Sequence, residues 1–121
     1  SRERDMRLFG LFGAAMFLAL ANFTSADQEK DWQELNGAEI EKALTGITLD
    51  YAFAWQEFRA SGKNLYNSGA DNWGIWRVEG NQYCSQWSLR DLWGCYWVLR
   101  AGDHIRFTGK HGDITDGRIR K

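Results

Sequence analysis

No proline occurs anywhere in the chain, although average usage would supply about six at this length. Without it there is no polyproline recognition segment and no stiff proline-rich spacer, and every tight turn must rely on Gly, Asn, Asp or Ser. Cysteine is limited to two residues and histidine to two, too few for a zinc cluster or a disulfide-dense scaffold. Charge of one sign is missing as well: 15 Lys and Arg face 16 Asp and Glu, for a formal net charge of -1. A surface that neutral is poorly suited to neutralising phosphates, so nucleic acid is not an expected partner. No G-x-G-x-x-G follows a strand pattern, and no G-x-S-x-G elbow is present. At 121 residues the chain has room for one compact domain.

What the chain has in excess is tryptophan, seven in all. It also has an apolar opening. Leu8 to Ala21 carries no charge, follows Arg2, Arg4 and Arg7, and leads into the small-residue stretch Asn22 to Ala26. This is the layout of a secretory signal peptide, with Met6 as a natural start and residues 1–5 as a remnant. Two cuts satisfy the small-x-small rule, after Ala26 (Thr24-Ser25-Ala26) or after Ala21. The first is preferred, because it leaves a polar spacer. The run is shorter than the ~20 residues a membrane-spanning helix needs, so no stable span is expected after cleavage. Asn22-Phe23-Thr24 is a formal glycosylation sequon inside the segment to be removed.

The expected organisation is a signal peptide over 1–26, a linker over 27–34 and one domain over 35–121. Asn36 and Glu39 form a capping-box pair, Leu35, Ile40, Ala43 and Leu44 share a face, and Gly46 stands at the stop position. That predicts one short helix. Beyond it the apolar period becomes two. Leu49-Asp50-Tyr51-Ala52-Phe53-Ala54-Trp55 reads as a half-buried strand. Further strands are expected over Gln56–Ala60, Asn64–Ser68, Trp73–Glu79, Gln82–Trp87, Trp93–Arg100, His104–Thr108 and Gly117–Arg120, separated by Gly, Asn and Asp turns. Connections this short join antiparallel neighbours. The expected fold is mainly β with a minor α part: a small antiparallel meander barrel of calycin or lipocalin type.

Cys84 and Cys95 stand 11 positions apart on two predicted neighbouring strands. In an exported chain an even pair reads as a disulfide. A reactive or metal-binding pair is the alternative, but metal sites favour closer spacing and further ligands.

The order Gly74-Ile-Trp76-Arg-Val78 … Tyr83-Cys84-Ser85-Gln86-Trp87 … Cys95-Tyr96, with Gly102-Asp103 and Arg106-Phe107 after it, resembles small exported alphaproteobacterial proteins of the DUF995-like kind. Leu35 to Ile40 and Gly46-Ile47-Thr48 fit the same pattern, so the resemblance covers about residues 35–118. A Pro-containing turn would be expected after Trp87, where this chain has Ser88-Leu89-Arg90. The resemblance implies compartment and architecture. It carries no catalytic residue and no cofactor.

Trp73, Trp76, Trp87, Trp93 and Trp97 lie close together in sequence. Strand alternation puts Trp76 and Val78 on one face and Trp73, Ile75 and Arg77 on the other, so the tryptophans cannot all be core. Packing is expected for Trp76 and Trp87. Trp73, Trp93 and Trp97 are the candidate binding residues, lining a groove near strand starts, with core packing as the alternative. His104 and His111 read as surface residues, and no metal ligand set emerges. Asp113, Asp116 and Gly117 lack the remaining positions of a calcium loop. Arg59, Arg77, Arg100, Arg106 and Arg118 are expected to balance acidic neighbours rather than to form a stripe.

Three functional classes remain. The first is a periplasmic or secreted non-enzymatic binding or inhibitor module with a protein partner. The second is a carrier of a small apolar or aromatic ligand, limited by the little room inside a barrel this short. The third is an enzyme, disfavoured because no triad, carboxylate pair or metal set is present.

Overall fold

The computed structural model describes residues 30–121. The signal-peptide reading, both cut points and the sequon lie outside these residues. Among the described residues the chain forms one helix, α1 (Gly37–Leu44), and nine strands: β1 (Gln33–Glu34), β2 (Thr48–Asp50), β3 (Trp55–Phe58), β4 (Lys63–Asn67), β5 (Asp71–Glu79), β6 (Gln82–Gln86), β7 (Gly94–Ala101), β8 (His104–Thr108) and β9 (Ile114–Ile119). All pairings are antiparallel. The order β7-β6-β5-β4-β3-β2-β9-β8 closes through β8 on β7, giving an eight-stranded barrel. Strand β6 pairs with only the first part of β7, Gly94 to Tyr96. The exposed remainder of that edge takes β1, with Gln33 opposite Arg100 and Glu34 opposite Leu99. The sheet therefore begins inside the residues read as a linker, because a two-residue strand is too short to show a period.

Helix α1 follows its sequence signals closely. The Asn36 side chain accepts from the Glu39 amide at 2.9 Å, and Glu39 Oε1 accepts from the Asn36 amide at 2.8 Å. Gly46 takes a φ of 79°, a value that favours glycine, directly after the helix. Ile40, Ala43 and Leu44 are buried and pack on the barrel. The helix docks at the turn between β5 and β6, where the Gly37 amide donates to Asn81 Oδ1 at 2.8 Å. It stoppers that end of the barrel.

One strand reading is corrected. Leu49 to Trp55 is not a single strand but a hairpin, β2 and β3, with the Tyr51 amide donating to the Ala54 carbonyl at 2.8 Å. The alternation was misleading because the turn contains no Gly, Asn or Pro. Phe53 stands at its tip, and Leu49 and Trp55 face opposite sides of the sheet: Leu49 is buried and Trp55 lies under Arg120. Strand β9 also starts three residues earlier than expected, at Ile114. On β5 the alternation holds: Trp76 is buried, while Trp73, Ile75 and Arg77 face outward.

The core is aromatic. Phe58 lies edge-on to Trp76 and Tyr83, with ring centroids 5.9 and 5.5 Å away. Phe107 stacks on Phe58 from 6.3 Å, and the Trp76 indole donates to the Arg59 carbonyl at 2.9 Å. Outside the barrel, four tryptophans carry an arginine on the ring, and each arginine is also paired with a carboxylate. These are Arg59 on Trp73 with Glu57, Arg77 on Trp93 with Glu79, Arg106 on Trp32 with Asp116, and Arg120 on Trp55 with Asp50. A planar guanidinium can stack and pair at once, which lets large indoles sit at a wet surface. The excess of tryptophan thus divides between core and exterior. No helix among the described residues is long and apolar enough to cross a membrane.

Candidate functional site

The end of the barrel opposite α1 is open. The β2–β3, β4–β5 and β8–β9 turns surround its mouth, together with the segment between β6 and β7 that carries Trp87. They enclose a cavity of about 640 Å³. Short side chains at inward positions let the wall residues seat. Ser85 lines the cavity, and at buried Gly117 a Cβ would come within 2.8 Å of the Tyr51 ring, so glycine there leaves Tyr51 its place in the wall. A Cβ on Gly74 would come within 2.6 Å of the Trp87 ring, so glycine there lets Trp87 lie against the wall. The expectation of little internal room was too strict, since the helix fills only one end.

The walls are aromatic: Tyr51, Tyr66, Trp87, Tyr96 and Phe107. The floor is polar and nearly sealed. Gln56, Asn64, Tyr83 and Ser85 are all buried at inward positions. The Tyr51 hydroxyl donates to Gln56 Oε1 at 2.6 Å. Gln56 Nε2 donates to Asn64 Oδ1 at 2.9 Å and to the Tyr83 hydroxyl at 3.0 Å, and Asn64 Nδ2 donates to the same hydroxyl at 2.7 Å. Ser85 lies two residues beyond Tyr83 on the same inward face of β6. Burial pushes the Tyr83 phenol above its ordinary range, and burial with the neighbouring Tyr83 and Tyr66 does the same for Tyr51. Both phenols are therefore neutral, and the floor is an uncharged, buried hydrogen-bonding network.

The candidate binding residues lie elsewhere. Trp73 is 46% exposed on the outer face, 4.9 Å from the Arg59 guanidinium carbon. It lines a smaller outer groove of about 240 Å³ with Lys63, Ile75, Gln86, Trp87 and Leu89. Trp93 is covered by Arg77 at 3.8 Å, and Trp97 is exposed on β7 opposite Thr108. None of the three lines the mouth cavity. Trp76 takes the packing position expected of it, whereas Trp87, also expected to pack, lies outside the buried core and forms part of both the cavity and the outer groove.

The residues that do meet in the cavity were missed because their signal is faint. Tyr83, Ser85 and Trp87 share one strand face, and so do Gln56 and Phe58. A polar residue at an inward position is the anomaly that marks them. The cysteines form the disulfide, on directly opposed residues of β6 and β7. Glu79 brings a carboxylate near both sulfurs, but the disulfide removes the thiolates a metal would need, and Arg77 pairs with that carboxylate. Neither His104 nor His111 lines the cavity. No protein-family profile, curated protein or solved structure matches the chain.

Proposed function

We propose that this is an exported, non-enzymatic binding protein that holds a small apolar or aromatic molecule in the mouth of its barrel. The observation that carries the reading is the cavity of about 640 Å³, stoppered at one end and open at the other, with aromatic walls and a neutral polar floor. Its size falls within the ~300–1,000 Å³ of small-molecule sites, and its few polar groups converge at the deepest point. The Arg-flanked apolar run before the domain, the disulfide and the DUF995-like pattern support export to the periplasm or beyond. A protein partner is the second reading. It is favoured by Phe53, Leu89 and Leu92, which stand near the open end more than nine-tenths exposed.

The test is a fluorescence titration with the neutral probe N-phenyl-1-naphthylamine, on the native chain and on Ala54→Trp, which fills the mouth. Micromolar binding by the native chain is expected, weakened at least tenfold in a variant whose melting temperature is unchanged. No binding, or equal binding by both chains, overturns the reading and favours the protein partner.

A further inference from the structure

The polar floor has more donors than the protein itself uses. Gln56 Nε2 and Asn64 Nδ2 both donate to the Tyr83 oxygen, at 3.0 and 2.7 Å, which occupies its two lone pairs. The Tyr83 proton must then leave away from both amides, on the side of the same inward face where Ser85 stands. Tyr83 and Ser85 bring two hydroxyl protons and, with the Tyr83 oxygen filled, only the Ser85 oxygen to receive one of them, so at least one proton is left over. Ser85 is 5% exposed and lines the cavity, so this last donor points into the ligand space rather than into bulk water.

Charge sets the second condition. No Lys, Arg or His lines the cavity among the described residues, and its one acidic residue, Asp116, is already held by Arg106 through two bonds of 2.8 Å. A ligand carboxylate, phosphate or ammonium placed at the buried floor would lie there without a counter-charge, which such a site penalises heavily.

We infer that the cavity selects neutral aromatic molecules carrying a hydrogen-bond acceptor, a carbonyl or similar oxygen, at the end that reaches Ser85. This rests on the small-ligand reading above and adds the ligand class to it. The walls offer ring faces for a flat molecule. The buried hydroxyls of Tyr83 and Ser85 at the deep end fix which end goes in first. A purely apolar pocket of this shape would prefer the more hydrophobic of two similar ligands, so a preference for the carbonyl compound is diagnostic.

The experiment measures displacement of bound N-phenyl-1-naphthylamine by 2-acetylnaphthalene and by 2-ethylnaphthalene, which match in shape and differ in the carbonyl. The native chain is expected to bind the acetyl compound at least tenfold more tightly. In Ser85→Ala the nearest donor is Tyr83, one hydroxyl deeper, and the ratio is expected to fall at least fivefold. Equal binding of the two compounds by the native chain, or preference for the ethyl compound, overturns the inference while the cavity reading stands. A ratio unchanged in Ser85→Ala also overturns it. If neither compound displaces the probe, the cavity reading falls and the inference with it. The native ratio needs no variant, so the outcome does not depend on Ser85→Ala folding.

Discussion

Gly37→Ala sets two effects of opposite sign against each other, and the structure says which wins. Gly37 is the first residue of α1, and alanine is the better helix former by up to about 1 kcal/mol. Propensity alone therefore predicts a more stable protein. The contact with the barrel predicts the reverse. A Cβ at this position would stand 2.2 Å from the Gly80 carbonyl oxygen and 3.4 Å from Val78 Cγ1. The oxygen belongs to the backbone of the β5–β6 turn, so no side chain can rotate away. Relief requires the helix or the turn to move by about 1 Å, and close-packed interiors resist such shifts. Ile40 and Leu44, both 0% exposed, lie on the same helix and would be drawn from their seats. Overpacking costs about 1–3 kcal/mol, and a 2.2 Å approach to backbone belongs in the upper part of that range, about 2–3, so the net expectation is a loss of about 1–2 kcal/mol after the propensity gain. In a domain this small that lowers the melting temperature by roughly 4–16 °C. Urea unfolding followed by tryptophan fluorescence reads it directly, with exposed Glu41→Ala as the helix control. Stability equal to or above the native chain would refute the reasoning, because it would mean that α1 is not seated on that turn.

Breaking the disulfide by Cys84→Ala should cost about 2–5 kcal/mol, since the loop it closes is short but the domain is small; non-reducing mass measurement of the native chain should show two fewer hydrogens than the dithiol. Tyr83→Phe removes the acceptor shared by Gln56 Nε2 and Asn64 Nδ2 and should lower stability by about 1–3 kcal/mol in chemical denaturation, more than an exposed tyrosine would. Burial raises the folded-state pKa of Tyr51 and Tyr83 above the unfolded value near 10, so the stability they contribute is whole below pH 10 and is lost as pH rises beyond it; in absorbance titration these two phenols should ionise only as the fold comes apart. Trp73→Ala and Trp93→Ala, which remove surface rings stacked under arginines, should each cost about 1–2 kcal/mol by thermal melting rather than the 3–5 of a core deletion.

Much of the architecture was legible in the residues themselves, wherever the signal is local. The Asn36–Glu39 box needs only four neighbouring residues to form, and it does so with both hydrogen bonds made. Glycine turns at Gly62, Gly69, Gly80, Gly102 and Gly112 mark hairpins because each requires a positive φ that other residues avoid. The period of two on β5 sorts Trp76 from Trp73 and Arg77 because successive side chains must alternate. Short connections dictate antiparallel neighbours, and two cysteines on neighbouring strands dictate one bond.

The cavity belongs to the tertiary structure alone. Its lining comes from seven of the strands, and no local window contains the closure of β8 on β7 that turns a curled sheet into a vessel. The β2–β3 hairpin was hidden for a related reason: its turn lacks glycine, and pairing of Leu49 with Gln56 across the sheet, not local preference, bends the chain there. Large aromatic residues stand out in a sequence whichever way they face. Only closure of the barrel decides that Tyr83 and Trp87 meet Ser85 and Gln56 inside, while Trp73, Trp93 and Trp97 remain on the outer surface. Burial is a property of the whole enclosure. A serine or glutamine becomes part of a buried polar floor only when distant strands close around it.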